Sequence, residues 1–296
     1  MMKKLLAFLL ACLFVFSALP AVAETAETDE SGWVNILMMG GDARSLTKYD
    51  RTDTMMLLSV NYEQRQMKLT SILRDIYIPY PTRNFSAKLN AANVYGGPEL
   101  AVETISQAFK VDIANYVIIN MADLVAIIDL VGGVTVNVTE SERKYINHYV
   151  KDFVRDIHGY DGDKVLEETG DVFLNGMMAT AYTRNRYSDN DFGRVMRQQE
   201  VLLGLARQLQ DMKLTDAMAM DMMQGLKEHI CTDMTDEQLK ELALLCLVVD
   251  VDSIAQGRVP TKGTFSYKDD NISINLNKNI NYIHEFIYNN GDGNID

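Results

Sequence analysis

The chain has 296 residues, 47% of them hydrophobic, with 28 basic and 41 acidic residues and a formal net charge of −13. This length and apolar content suffice for one large α/β domain and argue against global disorder. The acidic balance argues against general nucleic-acid binding, which needs a basic face, and against adsorption to anionic lipid through charge alone.

The first 23 residues have the pattern of a secretory signal peptide. Lys3 and Lys4 precede an apolar stretch from residue 5 to 19, and Ala21-Val22-Ala23 is a small-x-small cleavage pattern. An uncleaved anchor is the alternative, because residues 5–23 are just long enough to span a membrane. Both interpretations predict that the rest of the chain is exported.

Residues 24–32 read as a polar linker, and one domain is expected from residue 33 to 296. Apolar runs at 33–39, 54–61 and 66–72 predict three strands, of which the last two form a hairpin across a turn. Helical and strand patterns alternate downstream without a second linker. This order predicts an α/β domain with a mixed central sheet and helices on both faces.

The downstream pattern contains several capping signals and one irregular segment. Asn120 is a candidate N-cap, and Thr235 with Gln238 forms a candidate capping box. Residues 140–170 read as charged and irregular. The other predicted elements are a helix from Pro98, a strand at 111–119, a strand at 134–138, helices at 175–182 and about 191–209, and a last helix near 280–288.

Cys231 and Cys246 lie in apolar, helix-like surroundings. Export would permit a disulfide between them, but two buried thiols are favoured because no framework of many cysteines is present. The four histidines are scattered, and no His/Cys spacing indicates zinc.

The helix predicted at 191–209 turns arginine toward the body of the protein. Arg194 and Gln198 lie inside its apolar sector as widened by Val201 and Leu205, whereas the polar face is assigned to Glu200, Gly204, Arg207 and Gln208. A buried guanidinium requires an anion, either an internal carboxylate or a bound phosphate. Arg184, Arg186 and Arg197 add charge that one internal carboxylate would not need.

Two further clusters follow predicted strands. The loop at 40–54 carries Asp42, Arg44, Asp50, Arg51 and Asp53, a mixture suited to a metal-assisted phosphate site, with a solvated surface loop as the alternative. Arg74 and Asp75 come directly after the third strand, and loops at strand ends commonly hold ligands in α/β folds. There is no GxxxxGK[ST], GxSxG or HExxH motif.

Six ordered motifs resemble the LytR–CpsA–Psr family, from about residue 33 to 210. They are NILMMGGDAR, DRTDTMMLLSVN, TSILRDIYI, KLNAANVYGGPELAVETI, LVGGVTVNV and LNGMMATAYTRNRYSDNDFGRVMRQQ. The resemblance implies a three-layer α-β-α domain with a channel for lipid. It also implies an exported, magnesium-assisted enzyme that moves a glycopolymer from an undecaprenyl-pyrophosphate carrier onto peptidoglycan, meeting the membrane surface through its lipid substrate.

The resemblance also assigns roles to residues of this chain. Asp42 and Asp53 correspond to magnesium-linked carboxylates, and Asp53, Asp75 and Arg74 are the catalytic candidates. Asp191 matches a further acidic position. The expected phosphate-binding residues are Arg44, Arg51, Arg74, Arg184, Arg186, Arg194, Arg197 and Gln198.

Two departures from the family pattern stand out. Leu73 replaces a proline before Arg74, and the cleavage pattern at 21–23 replaces the usual anchor. Two other functions also fit the site. One is a polyprenyl-pyrophosphate phosphatase that uses water as the acceptor, and the other is a non-catalytic lipid-carrier or glycan-binding module. Paired carboxylates beside arginines favour chemistry over binding alone, because carboxylates repel phosphate unless a cation bridges them.

Overall fold

A six-stranded mixed sheet lies at the centre of the computed structural model, which describes residues 31–41, 49–153, 166–186, 191–214 and 216–289. Its strand order is β10-β3-β2-β1-β6-β9, with β1/β6 and β3/β10 parallel and the other pairs antiparallel. These strands are β1 (Val34–Gly41), β2 (Thr52–Asn61), β3 (Gln66–Ile72), β6 (Asn115–Asn120), β9 (Cys231–Thr232) and β10 (Ala255–Val259). The mixed sheet and the hairpin of β2 and β3 are therefore confirmed.

Three two-stranded ribbons accompany this sheet among the described residues. They are β4 (Tyr77–Pro79) with β5 (Ser86–Lys88), β7 (Val134–Val138) with β8 (Gly170–Leu174), and β11 (Phe265–Lys268) with β12 (Asn271–Ile274). The helices are α1 (Ala92–Phe109), α2 (Met121–Leu130), α3 (Glu140–Phe153), α4 (Gly176–Arg184), α5 (Asp191–Asp211), α6 (Asp216–Lys227), α7 (Asp236–Val248) and α8 (Leu276–Tyr288).

Alternation along the central strands produces two separate cores, one on each face of the sheet. Leu37 of β1 and Leu57 of β2 belong to the core that includes α1 and α8. Ile36 and Met56, their neighbours in sequence, belong to the core that includes α5 and α7. Successive side chains of a strand point to opposite faces, so both faces of this sheet need a helical cover. The expected α-β-α layering is confirmed.

Helix α5 is covered on two sides, which corrects the prediction that Gly204 lies on its polar face, whereas Arg207 is exposed as predicted. Gly204 is buried, and a Cβ built there would lie 2.4 Å from Cγ2 of Val134 in β7. Val201 and Leu205 of the same helix join a third core formed with α2, α3, α4 and the β7–β8 ribbon. The glycine therefore marks a close approach of helix and strand and not a solvent-facing position.

The segment predicted as charged and irregular begins with a regular helix, α3. Ile146 and Val150 are buried one turn apart, and charged residues occupy the opposite side. Thr139 and Glu142 form reciprocal capping contacts at its start, with the Thr139 N–H donating to Glu142 Oε2 at 2.9 Å. The sequence T-x-x-E carries this signal, and helix periodicity was hidden by the high charge of the segment.

The other capping predictions are confirmed. Asn120 accepts from the backbone N–H of Asp123 at 2.9 Å, and Thr235 and Gln238 form a capping box at the start of α7. Helix α6 and strands β4, β5, β8 and β9 were not predicted. Cys231 and Cys246 are free thiols. Across the ranges described above, no helix combines the length and apolarity needed to cross a bilayer.

Candidate active site

The topology brings the ends of several strands to one edge of the sheet. Strand β2 starts where β1 ends, with Thr52 paired to Gly41, and β3 and β10 end together, with Ile72 paired to Val259. Asp53 is the second residue of β2, and Arg74 and Asp75 follow the end of β3 by two and three residues. The first turn of α5, with Asp191 and Arg194, reaches the same edge.

Arg74 is the hub of the ion pairs at this edge. Its Nη1 lies 2.7 Å from Oδ2 of Asp53, its Nε 3.3 Å from Oδ2 of Asp75, and its Nη2 3.9 Å from Oδ1 of Asp191. Its side chain is only 14% exposed, so the guanidinium is held in one orientation. Three carboxylates that are far apart in sequence therefore converge on one cation.

Three further cations complete the group. Arg186 lies 3.2 Å from Asp53, Arg194 lies 3.5 Å from Asp191, and Lys88 lies 2.8 Å from Asp75. We call these seven residues the ion cluster: Asp53, Arg74, Asp75, Lys88, Arg186, Asp191 and Arg194. Four cations face three carboxylates, which leaves the described part of the cluster positive in a protein that is acidic overall.

Arg194 has the features of an anion receptor. The residue is 4% exposed, and its Nε is buried without a hydrogen-bond partner among the described residues. Burial and the positive charges of Arg74 and Arg186 lower the pKa of Arg194 to about 10, against the partial compensation of Asp191 and Asp53. A buried donor beside like charges is costly unless an anion arrives to accept from it. The start of α5 adds the positive end of a helix dipole.

The carboxylate of Asp53 is held in its ionised form. Burial would raise its pKa, but Arg74, with additional contributions from Arg194 and Arg186, lowers the pKa of Asp53 below its ordinary value. The same pairing acts on Arg74: burial would lower its pKa, but Asp53, Asp75 and Asp191 raise it. Both groups therefore stay charged at neutral pH, and Asp53 is a weak proton acceptor.

Arg197 was grouped with the phosphate-binding residues, but the structure places it in an internal ion pair. Its Nη1 lies 3.0 Å from Oε1 of Glu142, with both side chains less than 10% exposed. Its Nη2 donates to the backbone carbonyl of Asn185 at 2.6 Å. Arg194 and Arg197, three residues apart on one helix, thus have different partners.

The other predicted phosphate-binding residues have separate surroundings. Arg184 donates to Sδ of Met121 and lies over the ring of Tyr149, 5.7 Å from its centroid. Arg51 is exposed. Gln198 is half-buried, whereas the next residue, Gln199, is fully buried and donates to Oγ of Ser71 and the carbonyl of Gly257.

Some sequence predictions lie outside the described residues, and one cluster member was missed. Asp42 and Arg44 belong to the range 42–48, which the structure does not describe. Lys88 was not singled out, although it begins the motif KLNAANVYGG. Its signal is its position at the end of β5, which places its amine beside Asp75.

The donor set at Asp53 is suited to a hard cation shared with a phosphate. Both arginines contact Oδ2 of Asp53, so among the described residues Oδ1 is left for a further ligand. Within those ranges no group of three or more His, Cys, Asp or Glu residues could hold a metal. Mg²⁺ is usually bound through one or two carboxylates plus substrate phosphates, so a complete protein cage is not required.

A LytR_cpsA_psr family model matches residues 18–284, so the chain belongs to this family. The resemblance drawn from the six motifs is confirmed. The site is therefore that of a LytR–CpsA–Psr protein.

Curated relatives agree with this assignment. The polyisoprenyl-teichoic acid–peptidoglycan teichoic acid transferase TagU of Bacillus mycoides is 30% identical over 221 residues, 74% of this chain and 66% of the relative. TagU of Enterococcus faecalis is 30% identical over 75% of this chain and 71% of the relative. The match thus spans about two thirds of the length of these relatives.

Two solved structures share the fold. TagT bound to LIIa-WTA superposes with a TM-score of 0.68 at 22% identity, covering 91% of this chain and 97% of TagT. Bacillus subtilis TagV gives a TM-score of 0.67 at 22% identity, covering 88% of this chain and 98% of TagV. These likenesses concern the α-β-α fold.

Proposed function

We propose that this protein is an exported phosphotransferase that moves a lipid-linked glycopolymer onto peptidoglycan at the outer face of the membrane or in the cell wall. The supporting observation is the ion cluster, where the buried Nε of Arg194 has no partner among the described residues and cations outnumber carboxylates. A pyrophosphate supplies the missing negative charge and the missing acceptors. The names of the relatives indicate a polyisoprenyl carrier and a teichoic-acid-type polymer.

In this proposal the arginines bind and orient the carrier pyrophosphate. Arg194 donates from the buried side, Arg74 is fixed by its three carboxylates, and Arg186, 45% exposed, closes the open side. A hydroxyl of peptidoglycan attacks the glycan-linked phosphorus, and polyprenyl phosphate leaves with its bond electrons. Charge develops on the phosphoryl oxygens, and donors already aimed at that position need no reorganisation.

The hydroxyl proton is assigned to Asp75. The lowered pKa of Asp53 makes it a poor proton acceptor, so its role in the proposal is to remain charged and hold a cation. Asp75, with a 17% exposed side chain, lies between Arg74 and Lys88, which orient its carboxylate. Asp75→Asn is expected to abolish transfer while retaining lipid pyrophosphate binding, whereas full activity of Asp75→Asn would exclude this role.

Magnesium is proposed to be held by Oδ1 of Asp53 together with Asp42. It would supply charge neutralisation for the pyrophosphate. Calorimetric titration with a short polyprenyl pyrophosphate should give tighter binding with Mg²⁺ than with EDTA, and reciprocity requires the lipid to tighten Mg²⁺ by the same factor. Asp53→Asn and Asp42→Asn should lose this difference. An affinity of the wild type that does not change with Mg²⁺ would remove the metal from the proposal.

Transfer itself is tested with lipid-linked glycopolymer and purified peptidoglycan. The expected product is polymer covalently attached to peptidoglycan, formed by the wild type and lost in Arg74→Ala. Release of free polymer at the same rate without peptidoglycan would identify a hydrolase instead. Binding of the lipid without any turnover would identify a carrier-binding module.

N-terminal sequencing of the exported protein should begin near Glu24, whereas a chain starting at Met1 would favour the anchor.

A further inference from the structure

An exposed aromatic surface lies beside the ion cluster. Tyr49, Phe85 and Tyr95 are 62%, 42% and 50% exposed, and we call these three residues the aromatic patch. The rings of Phe85 and Tyr95 are 5.1 Å apart edge to face, and both pack on the buried ring of Tyr80 at 5.5 and 6.0 Å. The ring of Tyr49 lies beside Gly97, two residues after Tyr95, where a Cβ would lie 3.2 Å from that ring. Contiguous exposed apolar surface of this kind usually marks a binding site.

Polar groups border the patch. A shallow depression of about 430 Å³ is lined by residues 81–85, in which Thr82, Arg83 and Asn84 are exposed. Arg83 donates from Nη2 to the carbonyl of Tyr95 at 3.2 Å, which fixes one guanidinium beside the rings. Aromatic faces next to amide, hydroxyl and guanidinium groups match a pyranose sugar, which has an apolar C–H face and a rim of hydroxyls.

The patch lies within one or two sugar lengths of the ion cluster. Strand β5 runs from Ser86, the residue after Phe85, to Lys88, whose amine contacts Asp75. Three extended residues span about 10 Å. The segment from Tyr49 to Arg51 is held near the patch as well, because the side chain of Asn93 donates to the backbone carbonyl of Asp50 at 2.7 Å. A glycan lying on the patch would therefore be close enough to the ion cluster for one of its hydroxyls to reach the phosphate position.

We propose that the aromatic patch binds the sugar backbone of the acceptor peptidoglycan strand, an assignment that rests on the proposed function. Charge favours the acceptor over the transferred polymer. The surface beside the patch carries an exposed carboxylate as well as the guanidinium of Arg83, because Oε2 of Glu99 lies close to Gly97, where the ring of Tyr49 also lies. A polyanionic teichoic acid would need a run of cations, whereas a backbone of uncharged N-acetyl sugars needs stacking surfaces and hydrogen bonds. An acceptor polymer must also approach from open solvent, where the patch lies.

Direct binding tests this proposal without any transfer step. The probes are peptide-free peptidoglycan glycan strands and chitohexaose, titrated into the full chain by calorimetry or NMR. Tyr95→Ala and Phe85→Leu should each weaken binding about tenfold, because a stacking face is lost while Phe85→Leu keeps the apolar volume. Phe173→Ala is the matched control, because Phe173 is 55% exposed on the β7–β8 ribbon. Thermal unfolding checks that each variant is folded.

The outcomes separate this inference from the proposed function. Weaker glycan binding with unchanged binding of a short polyprenyl pyrophosphate supports the patch, even if the protein transfers nothing. Glycan affinity equal to wild type in both folded variants would overturn it. So would variants that lose binding to soluble teichoic acid, or to anionic phospholipid vesicles, while keeping the glycan strands, because the patch would then serve the donor or the membrane.

Discussion

Arg194 and Arg197 offer a sharp contrast, because both are buried on α5 and only three residues apart. Replacing each with Met removes the charge and keeps the apolar stem. Arg197 is paired with Glu142 at 3.0 Å, so Arg197→Met leaves a buried carboxylate without its cation. Arg194 lies near the cations Arg74 and Arg186, so Arg194→Met removes a buried charge that destabilises the folded protein.

The two substitutions should have different effects on the free energy of unfolding: Arg197→Met should lower it, and Arg194→Met should leave it unchanged or raise it slightly. Breaking a buried pair by removing one partner costs about 3–5 kcal/mol. A pKa near 10 for Arg194, against 12.5 for the free side chain, means that keeping this charge costs the folded protein about 3 kcal/mol at most. Loss of the contact with Asp191 offsets part of that, so Arg194→Met is expected to be neutral or slightly stabilising. For Arg197→Met, a loss of 3 kcal/mol corresponds to a fall in Tm of roughly 6–12 °C.

Urea unfolding and calorimetric lipid binding read out the two roles separately. Arg197→Met should lose stability, and the double variant with Glu142→Leu should recover much of it, because the orphaned carboxylate is also gone. Arg194→Met should keep its stability and bind a short polyprenyl pyrophosphate at least tenfold more weakly. If Arg194→Met lowered the free energy of unfolding by several kcal/mol, Arg194 would belong to an internal salt bridge. That result would refute the proposal that Arg194 receives an anion.

Three further predictions concern pH, packing and capping. The folded-state pKa of Asp53 lies below its ordinary value of 3.8, so the stability that Asp53 contributes is present above pH about 5 and is lost as the pH falls below 3.8 toward the folded pKa. Urea unfolding at pH values from about 2.5 to 6 should therefore show a shallower acid dependence in Asp53→Asn. Gly204→Ala should destabilise by about 1–3 kcal/mol in thermal unfolding, because its Cβ meets Val134, whereas Gly225→Ala should be neutral or stabilising because only the flexible end of a leucine is near. Thr139→Ala should cost about 1 kcal/mol, and unchanged urea unfolding would show that the cap of α3 contributes nothing.

The sequence predicted the fold well where one physical signal dominated. Apolar runs and turn residues located β1, β2 and β3 to within two residues, and side-chain caps located α2 and α7. Helix α3 was missed because its charged residues concealed a two-residue apolar face, although the capping signal at Thr139 was present. Gly204 was misplaced because periodicity identifies an apolar sector and not the close approach of a second layer, which only the β7–β8 ribbon reveals.

The same limit explains why the sequence could not assign a partner to each arginine of α5. At about 100° per residue Arg197 falls between Gly204 and Gln208, in the sector assigned to the polar face, so its burial was not predicted. Local pattern does indicate that the guanidinium of Arg194 turns inward. It does not indicate which anion meets each one, because Glu142 is 55 residues upstream of Arg197 and Asp53 is 133 residues upstream of Arg186. Partners at such separations are fixed by the strand order of the sheet and by the layer that covers α5. The internal-salt-bridge interpretation, weighed against phosphate binding for the whole cluster, therefore holds for Arg197, which the carboxylate of Glu142 in α3 neutralises. Phosphate binding by Arg194 is the proposal that the Arg194→Met variant tests.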